Sequence, residues 1–262
     1  MSRLAVDAHV HLRAPNLGLL RAAARTLARA AERRPDAGAL MLAETAGANR
    51  FGELWSLARS GGDTRLALAG AGCVRWREAQ AMPLYVFAGR QIAAREGLEA
   101  LALGTTAAMP DGAPLADVLR WIEEQDALAV LPWGVGKWWG RRGRIVADLI
   151  ARCDPGEIAL GDNGGRPFFW RPAVFAAAGR RGLKILPGSD PLPVKGGDAV
   201  IGRVGFGVDL SFDPDDPGPA LLRRLRDPRT RIEPFGRPRP VVRFLADQLA
   251  LRIAPAREPM LA

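Results

Sequence analysis

The feature that most constrains the fold of this chain is a repeated alternation of strand-like and helix-like segments. A strand pattern at 4–12 is followed by a helix that Asn16 can cap and that ends at Arg34. A second strand at 39–45 is followed by a helix that ends at Gly61 and Gly62. This rhythm predicts a mainly parallel sheet covered by helices.

The rhythm is interrupted between residues 64 and 104, where three short strand-like segments follow one another with turns and no helix. We interpret this stretch as an antiparallel ribbon inserted into the main sheet, followed by a strand at 98–103. The alternation then resumes, with helices predicted at 115–124, 144–152, 172–181, 220–226 and 240–252, and strands at 127–132, 157–161 and 183–187. With 262 residues, the chain is predicted to be one α/β domain over 1–262, a TIM-like, distorted β/α barrel with an antiparallel β insertion after the second βα unit.

Composition excludes several classes of protein. Hydrophobic residues make up 48% of the chain, and no run of about 18 uncharged apolar residues occurs, so no membrane segment is predicted. The first residues reach Asp7 before an apolar signal region develops, and we therefore expect a cytoplasmic protein. Cys73 and Cys153 lie far apart in the sequence, which argues against a disulfide framework and against a zinc finger.

The net charge of +9 invites a nucleic-acid interpretation, but the basic residues do not support it. Only three of the 37 basic residues are lysines, and the arginines are spread along the whole chain, many at helical spacing beside Asp or Glu. They are typical of a solvated surface. We do not expect nucleic acid as the main ligand, and the sequence leaves a homo-oligomer open.

The most informative segment is the N-terminal strand, which contains Asp7, His9 and His11. A period of two places these three side chains on one face and Val6, Ala8, Val10 and Leu12 on the other. His9 and His11 are the only two histidines of the chain, and pleat geometry puts them about 7 Å apart. This spacing predicts that both imidazoles can bind one divalent cation.

Here the chain resembles the metal-dependent hydrolases of the polymerase and histidinol phosphatase (PHP) superfamily and the related amidohydrolases. Both open with a His-x-His on the first strand, and Gly188-Ser189-Asp190 resembles the late-strand motif that supplies a metal-binding carboxylate. The resemblance implies a TIM-like barrel, a divalent metal and hydrolysis. The chain departs from the pattern because no third histidine exists and Leu192 stands where the motif usually continues with histidine. A mononuclear site, an oxygen-rich second site or a decayed site is then implied.

Three carboxylates at predicted strand ends are candidates to complete a mononuclear site. Asp190 and Glu44 are predicted as ligands beside His9 and His11, a set suited to Zn, Mn or Fe. Asp162, Asp190 and Glu44 are the predicted catalytic carboxylates, and one that is left off the metal would serve as general base. Each has a structural alternative, since an acidic residue after a strand often caps the next helix. Asp7 is predicted to support a ligand rather than to bind the metal.

Three loops that follow predicted strands bring positive charge to the same face. They supply the predicted substrate-binding residues, which are Trp133, Lys137, Arg141, Arg166, Lys195 and Arg203. Tryptophans gain nothing from water, so the loop at 131–144 is expected to fold over the mouth of the barrel. Together these loops predict a small anionic substrate, with phosphate esters as the simplest case.

The sequence therefore predicts a metal-dependent hydrolase that acts on a small phosphorylated or otherwise anionic substrate through a metal-activated water. One alternative is a non-catalytic, metabolite-binding or accessory protein on an eroded PHP-like barrel. Another is amidohydrolase-like cleavage of a C–N, lactone or C–C bond. No serine nucleophile motif is present, which disfavours covalent serine catalysis.

Overall fold

The computed structural model of the chain describes residues 1–14, 16–164, 166, 172–192 and 196–236. The helices in these ranges are α1 (Leu17–Ala30), α2 (Arg50–Arg59), α3 (Leu115–Glu124), α4 (Gly140–Arg152), α5 (Ala173–Arg180) and α6 (Gly218–Arg226), with a 3₁₀ turn at Gly197–Val200. The strands are β1 (Ser2–Val10), β2 (Ala37–Leu42), β3 (Leu66–Leu68), β4 (Cys73–Trp76), β5 (Leu84–Phe87), β6 (Gly89–Ala93), β7 (Glu99–Leu103), β8 (Leu128–Pro132), β9 (Ile158–Asn163), β10 (Ile185–Gly188), β11 (Gly205–Leu210) and β12 (Glu233–Phe235). The helix predicted at 240–252 lies outside the described residues.

The strands form two mixed sheets. The larger has the order β12-β11-β1-β2-β5-β4-β3, and the smaller has the order β10-β9-β8-β7-β6. Parallel pairs join β1, β2 and β5 in the first sheet and β8, β9 and β10 in the second. The mixed α/β class is therefore confirmed, and antiparallel pairs occur within the region where the sequence predicted an inserted ribbon.

The two sheets meet along two seams, but neither sheet closes into a barrel, so the predicted TIM-like barrel is not confirmed. At one seam the backbone N–H of Asp190 donates to the carbonyl of His9 at 2.9 Å. At the other, Glu44 exchanges backbone hydrogen bonds with Gly89 and Gln91 at 3.1 and 2.9 Å. These contacts bring the ends of β1, β2, β6 and β10 together, which is where the candidate site lies.

Three hydrophobic clusters hold the layers together. One lies between the sheets and includes Leu4, Val6 and Ala8 of β1. A second packs α1 and α2 against the larger sheet, and a third packs α3, α4 and α5 against the smaller sheet. None of the helices in the described ranges is long and apolar enough to cross a membrane. Cys73 and Cys153 are both free thiols.

The predicted face of β1 is wrong in one respect, because the strand changes phase before its end. Leu4, Val6 and Ala8 belong to the cluster between the sheets, whereas Val10 and Leu12 belong to the cluster beneath the helices. The pairing with β2 shifts by one residue between Asp7 and Val10, as a β-bulge does. The extra residue turns His9 to the inner side, so Asp7 and His9 do not share one regular face.

Candidate metal centre

The side chains of His9, His11 and Asp190 converge at the junction of the two sheets. The Nε2 atoms of His9 and His11 are 3.1 Å apart, and they lie 3.7 and 3.5 Å from Oδ1 of Asp190. Their potential ligand atoms all fall within 4.8 Å of one another. Two imidazoles and one carboxylate can therefore reach a common point, which is the requirement for a shared cation.

The donor set fits a divalent transition metal. Zinc bonds of 2.0–2.1 Å in a tetrahedron place two ligand atoms about 3.3–3.4 Å apart, close to the three separations seen here. Imidazole nitrogens favour Zn, Mn or Fe over Mg or Ca. A buried amide oxygen, Oδ1 of Asn163, also lacks a hydrogen-bond partner within the described part of the chain, beside Asp190. An unpaired polar atom at this place is consistent with a site built to hold a further group.

The backbone of β10 and the turn after it place Asp190 against His9. Asp190 has a φ of 43°, a left-handed conformation that Asp adopts more readily than most residues. Gly188 packs directly on β1, where an added Cβ would lie 2.5 Å from the backbone nitrogen of His9. Only a residue without a side chain permits this approach, and the carboxylate two residues later then faces the imidazoles.

Asp7 supports this arrangement from beneath. Its buried carboxylate accepts hydrogen bonds from the backbone N–H groups of Ser189 and Gly202, both at 2.8 Å, and from that of His9 at 3.3 Å. Burial raises the pKa of Asp7 to about 6, and these hydrogen bonds oppose the rise. The side chain therefore ties β1 to the segments that carry Asp190 and the 3₁₀ turn, which agrees with a supporting rather than a ligating position.

The environment favours the neutral imidazole of His9 and the ionised carboxyl of Asp190. Burial lowers the pKa of His9 below its usual value, although the charge of Asp190 acts against this. Burial would raise the pKa of Asp190, but His9, His11 and Lys137 outweigh it and hold that pKa well below its usual range. Neutral imidazole and carboxylate are the protonation states that bind metals.

Two residues that the sequence analysis did not single out contact the cluster. Oε1 of Gln91, on β6, lies 3.3 Å from Nε2 of His9. Nδ2 of Asn163, at the end of β9, donates to Oδ2 of Asp190 and to the carbonyl of Trp133, both at 2.9 Å. Asn163 directly follows Asp162, so a prediction that turned the odd-numbered residues of β9 toward the site would have identified Asn163 instead of Asp162.

Glu44 is not part of the three-donor group. Its Oε1 accepts a hydrogen bond from the backbone N–H of Phe51 at 2.8 Å, and its Oε2 is 3.1 Å from Nη1 of Arg90. Glu44 would face the site only if Leu40 and Leu42, which share its phase, lay on the inner face of β2, but both leucines pack beneath the helices. The buried carboxylate accordingly serves the first turn of α2, as in the capping alternative.

Asp162 is also placed away from the cluster. Its two carboxylate oxygens accept hydrogen bonds from Nε and Nη2 of Arg166 at 2.7 and 2.6 Å. Along β9, Ile158 and Leu160 pack toward the helices while Ala159 packs between the sheets, so Asp162 is in the outer phase. Arg166, predicted to bind substrate, is engaged by this carboxylate and also lies over the ring of Phe175.

A cavity of about 350 Å³ opens next to the cluster and is lined by His11, Asp190, Gln91, Arg13 and Arg50 among others. Arg13 donates to the carbonyl of Leu192 at 2.6 Å, and Arg50 donates to Glu53 at 2.6 Å. The space into which a ligand of the cluster would extend is therefore lined by two arginines, which are paired with Asp198 and Glu53, and by the carboxylates of Asp190 and Glu44. These arginines, like Gln91 and Asn163, were not singled out from the sequence.

The other predicted substrate-binding residues are scattered. Lys137 forms an ion pair with Glu99, and its charge contributes to the low pKa of Asp190. Trp133 is buried among the helices of the smaller sheet, and Arg141 and Arg203 are exposed. Lys195 lies outside the described residues.

Comparisons with known proteins give a fold and no family. No protein-family model matches the chain, and no curated protein matches it. Among solved structures, PsfC from Pseudomonas syringae is similar with a TM-score of 0.57 and 16% identity, covering 96% of this chain and 100% of that one. A two-domain protein from Bacteroides vulgatus, which contains a predicted PHP-like metal-dependent phosphoesterase, aligns with a TM-score of 0.49 and 14% identity over 90% of this chain and 64% of that one. The first likeness indicates a shared fold, the second is too weak to support an argument, and the PHP resemblance stays a prediction.

Proposed function

We propose that the chain is a metal-dependent hydrolase of small anionic substrates, with phosphate esters as the first class to test. The observation that carries this proposal is the convergence of His9, His11 and Asp190 beside an open cavity with positive charge on its walls. Fold alone does not specify an activity, so the proposal depends on this chemistry.

In this proposal His9, His11 and Asp190 hold one divalent cation. The lowered pKa of His9 favours the neutral imidazole, which has a lone pair on one ring nitrogen, and Asp190 contributes the negative charge that a cation requires. A divalent cation bound there supplies Lewis acidity toward the scissile group and lowers the pKa of water. Asp7 and Asn163 keep the ligands in place through their hydrogen bonds.

The basic residues near the cavity are proposed to hold the anionic part of the substrate. Arg13 and Arg50 line the cavity, and Lys137 is close enough to influence Asp190. Arg50 and Lys137 are each paired with a carboxylate, Glu53 and Glu99, so an incoming anion would compete for them. Guanidinium groups suit phosphate and carboxylate because they offer paired N–H donors.

The first experiment is the metal content of untagged protein, measured by elemental mass spectrometry. About one equivalent of Zn, Mn or Fe is expected in the wild type, and none in a His9→Ala/His11→Ala variant. Loaded protein is then assayed with p-nitrophenyl phosphate and related esters, with vanadate as competitor. Absence of metal after reconstitution with each cation would refute the proposal, and metal-loaded protein that neither hydrolyses these esters nor binds vanadate would favour C–N or lactone cleavage.

A second candidate function, a metabolite-binding protein, is favoured by one observation. Glu44 and Asp162, the two carboxylates predicted to act as general base if left off the metal, are each paired with an arginine and are not among the three converging donors, although Glu44 lines the cavity beside them. A binding protein would retain one equivalent of cation and bind phosphate at the cavity, yet show no turnover of any ester. The assay described above separates the two functions.

A further inference from the structure

We infer that Asn163 is the positioning residue of this cation site, and that it connects Asp190 to the loop between β8 and α4. The inference rests on the proposed cation site and adds to it a residue that acts through Asp190 rather than on substrate. The supporting geometry is a pair of hydrogen bonds from one amide nitrogen, to Oδ2 of Asp190 and to the carbonyl of Trp133, both 2.9 Å long.

The amide of Asn163 can adopt only one orientation in these surroundings. Both neighbours of Nδ2, a carboxylate oxygen and a carbonyl oxygen, are acceptors, so a flipped amide would place Oδ1 against two acceptors. Among the described residues no hydrogen bond holds the amide from its other side, because Oδ1 is buried without a partner there. The two bonds of Nδ2 therefore set the orientation of the group.

Because Asn163 donates to Asp190, the two oxygens of that carboxylate have different partners. Oδ2 accepts from Asn163, while Oδ1 is the oxygen nearest to His9 and His11. Asp190 lies in a turn with left-handed backbone, where its side chain is not fixed by a regular strand. The amide hydrogen bond consequently supplies an alignment that the backbone does not impose.

The bond to Trp133 carries the same restraint into the neighbouring loop. Trp133 immediately follows β8, and the loop beyond it contains Lys137 and the exposed Trp139 before α4 begins. If the two bonds of Asn163 favour cation binding, then cation binding must favour those bonds to the same extent. Occupation of the site should therefore order the start of this loop.

Two substitutions distinguish positioning from simple filling of space. Asn163→Leu keeps the approximate volume and removes both hydrogen bonds, and is expected to weaken Co²⁺ or Zn²⁺ binding by about 10–100-fold. Asn163→Ala should be milder, because a water in the vacated space can donate to both acceptors. A space-filling role predicts the reverse order, with the cavity of the alanine variant more harmful.

Cation affinity is measured by competition with a chelator, and the visible absorption of the Co²⁺ protein reports on its coordination. Asn49→Leu and Asn49→Ala are matched controls, since Asn49 is exposed and makes no side-chain capping hydrogen bond. Both controls should bind within about twofold of wild type. Thermal melts verify folding, and if the leucine variant does not fold, Asn163→Val, which also removes both donors and leaves less room for a water than alanine does, takes its place. Cation affinity and a Co²⁺ spectrum equal to those of the wild type in that variant overturn the inference.

The outcomes separate the inference from the proposed function. Wild-type protein that binds no cation overturns both. Suppose instead that the wild type binds a cation and that Asn163→Leu binds it as tightly as the wild type, or more tightly than Asn163→Ala does. This result overturns the role of Asn163 and leaves the cation site intact. Hydrogen exchange gives an independent readout: cation should slow exchange at 134–140 in wild type and not in Asn163→Leu, and equal protection in both contradicts the link to the loop.

Discussion

Asp162 and Asp190 stand at the ends of neighbouring parallel strands, and the structure uses them in opposite ways. Asp162 is held by both edges of the Arg166 guanidinium. Asp190 faces two imidazoles and one amide, none of which neutralises it with a fixed positive charge. The first carboxylate is engaged in an ion pair, whereas the second retains a charge that a cation can satisfy.

The comparison teaches that strand phase, more than position at a strand end, decides what a carboxylate can do. On β9, Asp162 lies on the outer face and pairs with Arg166, whereas Asn163 lies on the inner face and donates to Asp190. Glu44 repeats the first case on another strand, with Arg90 as its partner. Four experiments test this difference between the carboxylates, in decreasing order of the change expected.

The direct test replaces each aspartate by asparagine. Asp190→Asn removes the only carboxylate of the three-donor group and should abolish the equivalent of bound cation, a loss greater than the about 10–100-fold expected from a supporting hydrogen bond. Asp162→Asn should retain one equivalent. Elemental mass spectrometry of both purified variants measures their metal content. Loss of metal from Asp162→Asn would contradict the proposed difference between the two carboxylates.

The second test removes the partner of Glu44. Arg90→Met leaves a buried carboxylate with a backbone hydrogen bond but no counter-charge, and should lower the free energy of unfolding by about 3 kcal/mol. Urea denaturation of the metal-free proteins measures the change. The number of cations bound should stay at the wild-type value. Loss of the cation in this variant would indicate that Glu44 contributes to cation binding after all.

The third test uses linkage between binding and folding. A cation at 100 times its dissociation constant should raise the free energy of unfolding by about 2.7 kcal/mol, because it binds the folded chain. The stabilisation should vanish in Asp190→Asn and persist in Asp162→Asn. Melting curves with and without a chelator provide the measurement, and equal stabilisation of the two variants would place the cation elsewhere.

The smallest effect is expected from Arg166→Gln. The pair with Asp162 is partly exposed, with side-chain exposures of 14% and 21%, so its loss should cost about 1 kcal/mol. Cation affinity should not change, since Asp162 contacts none of the three ligands among the hydrogen bonds of the described residues. A gain in affinity would mean that the freed carboxylate turns toward the site, and would weaken the distinction drawn here.

The succession of elements could be predicted from sequence because helices carry a strong periodic signal. The helix Leu115–Glu124 has the predicted bounds, and most strands begin and end within a few residues of their predicted positions. The pairing of His9 with His11, and the position of Asp190 beside them, were also expected. These features follow from residues close in sequence or from one short motif.

The phases of β2 and β9 could not be predicted, for a physical reason. Every residue of β2 is buried, and the first four of β9 are too, so their two faces are equally apolar and alternation carries no information. The register shift in β1 leaves no compositional trace either. Glu44 and Asp162 were therefore predicted as site residues, while Asn163 and Gln91, which contact the ligands, were missed.

The contact between Gly188 and His9 has a consequence for redesign of this protein. A side chain at position 188 would collide with the backbone nitrogen and the Cβ of His9, at 2.5 and 2.6 Å. Substitutions at this position would therefore displace His9, one of the proposed cation ligands, instead of changing the selectivity of the cavity. Variation at Arg13 and Arg50, which line the cavity, would instead change the residues proposed to hold the substrate and leave the contact between β10 and β1 intact.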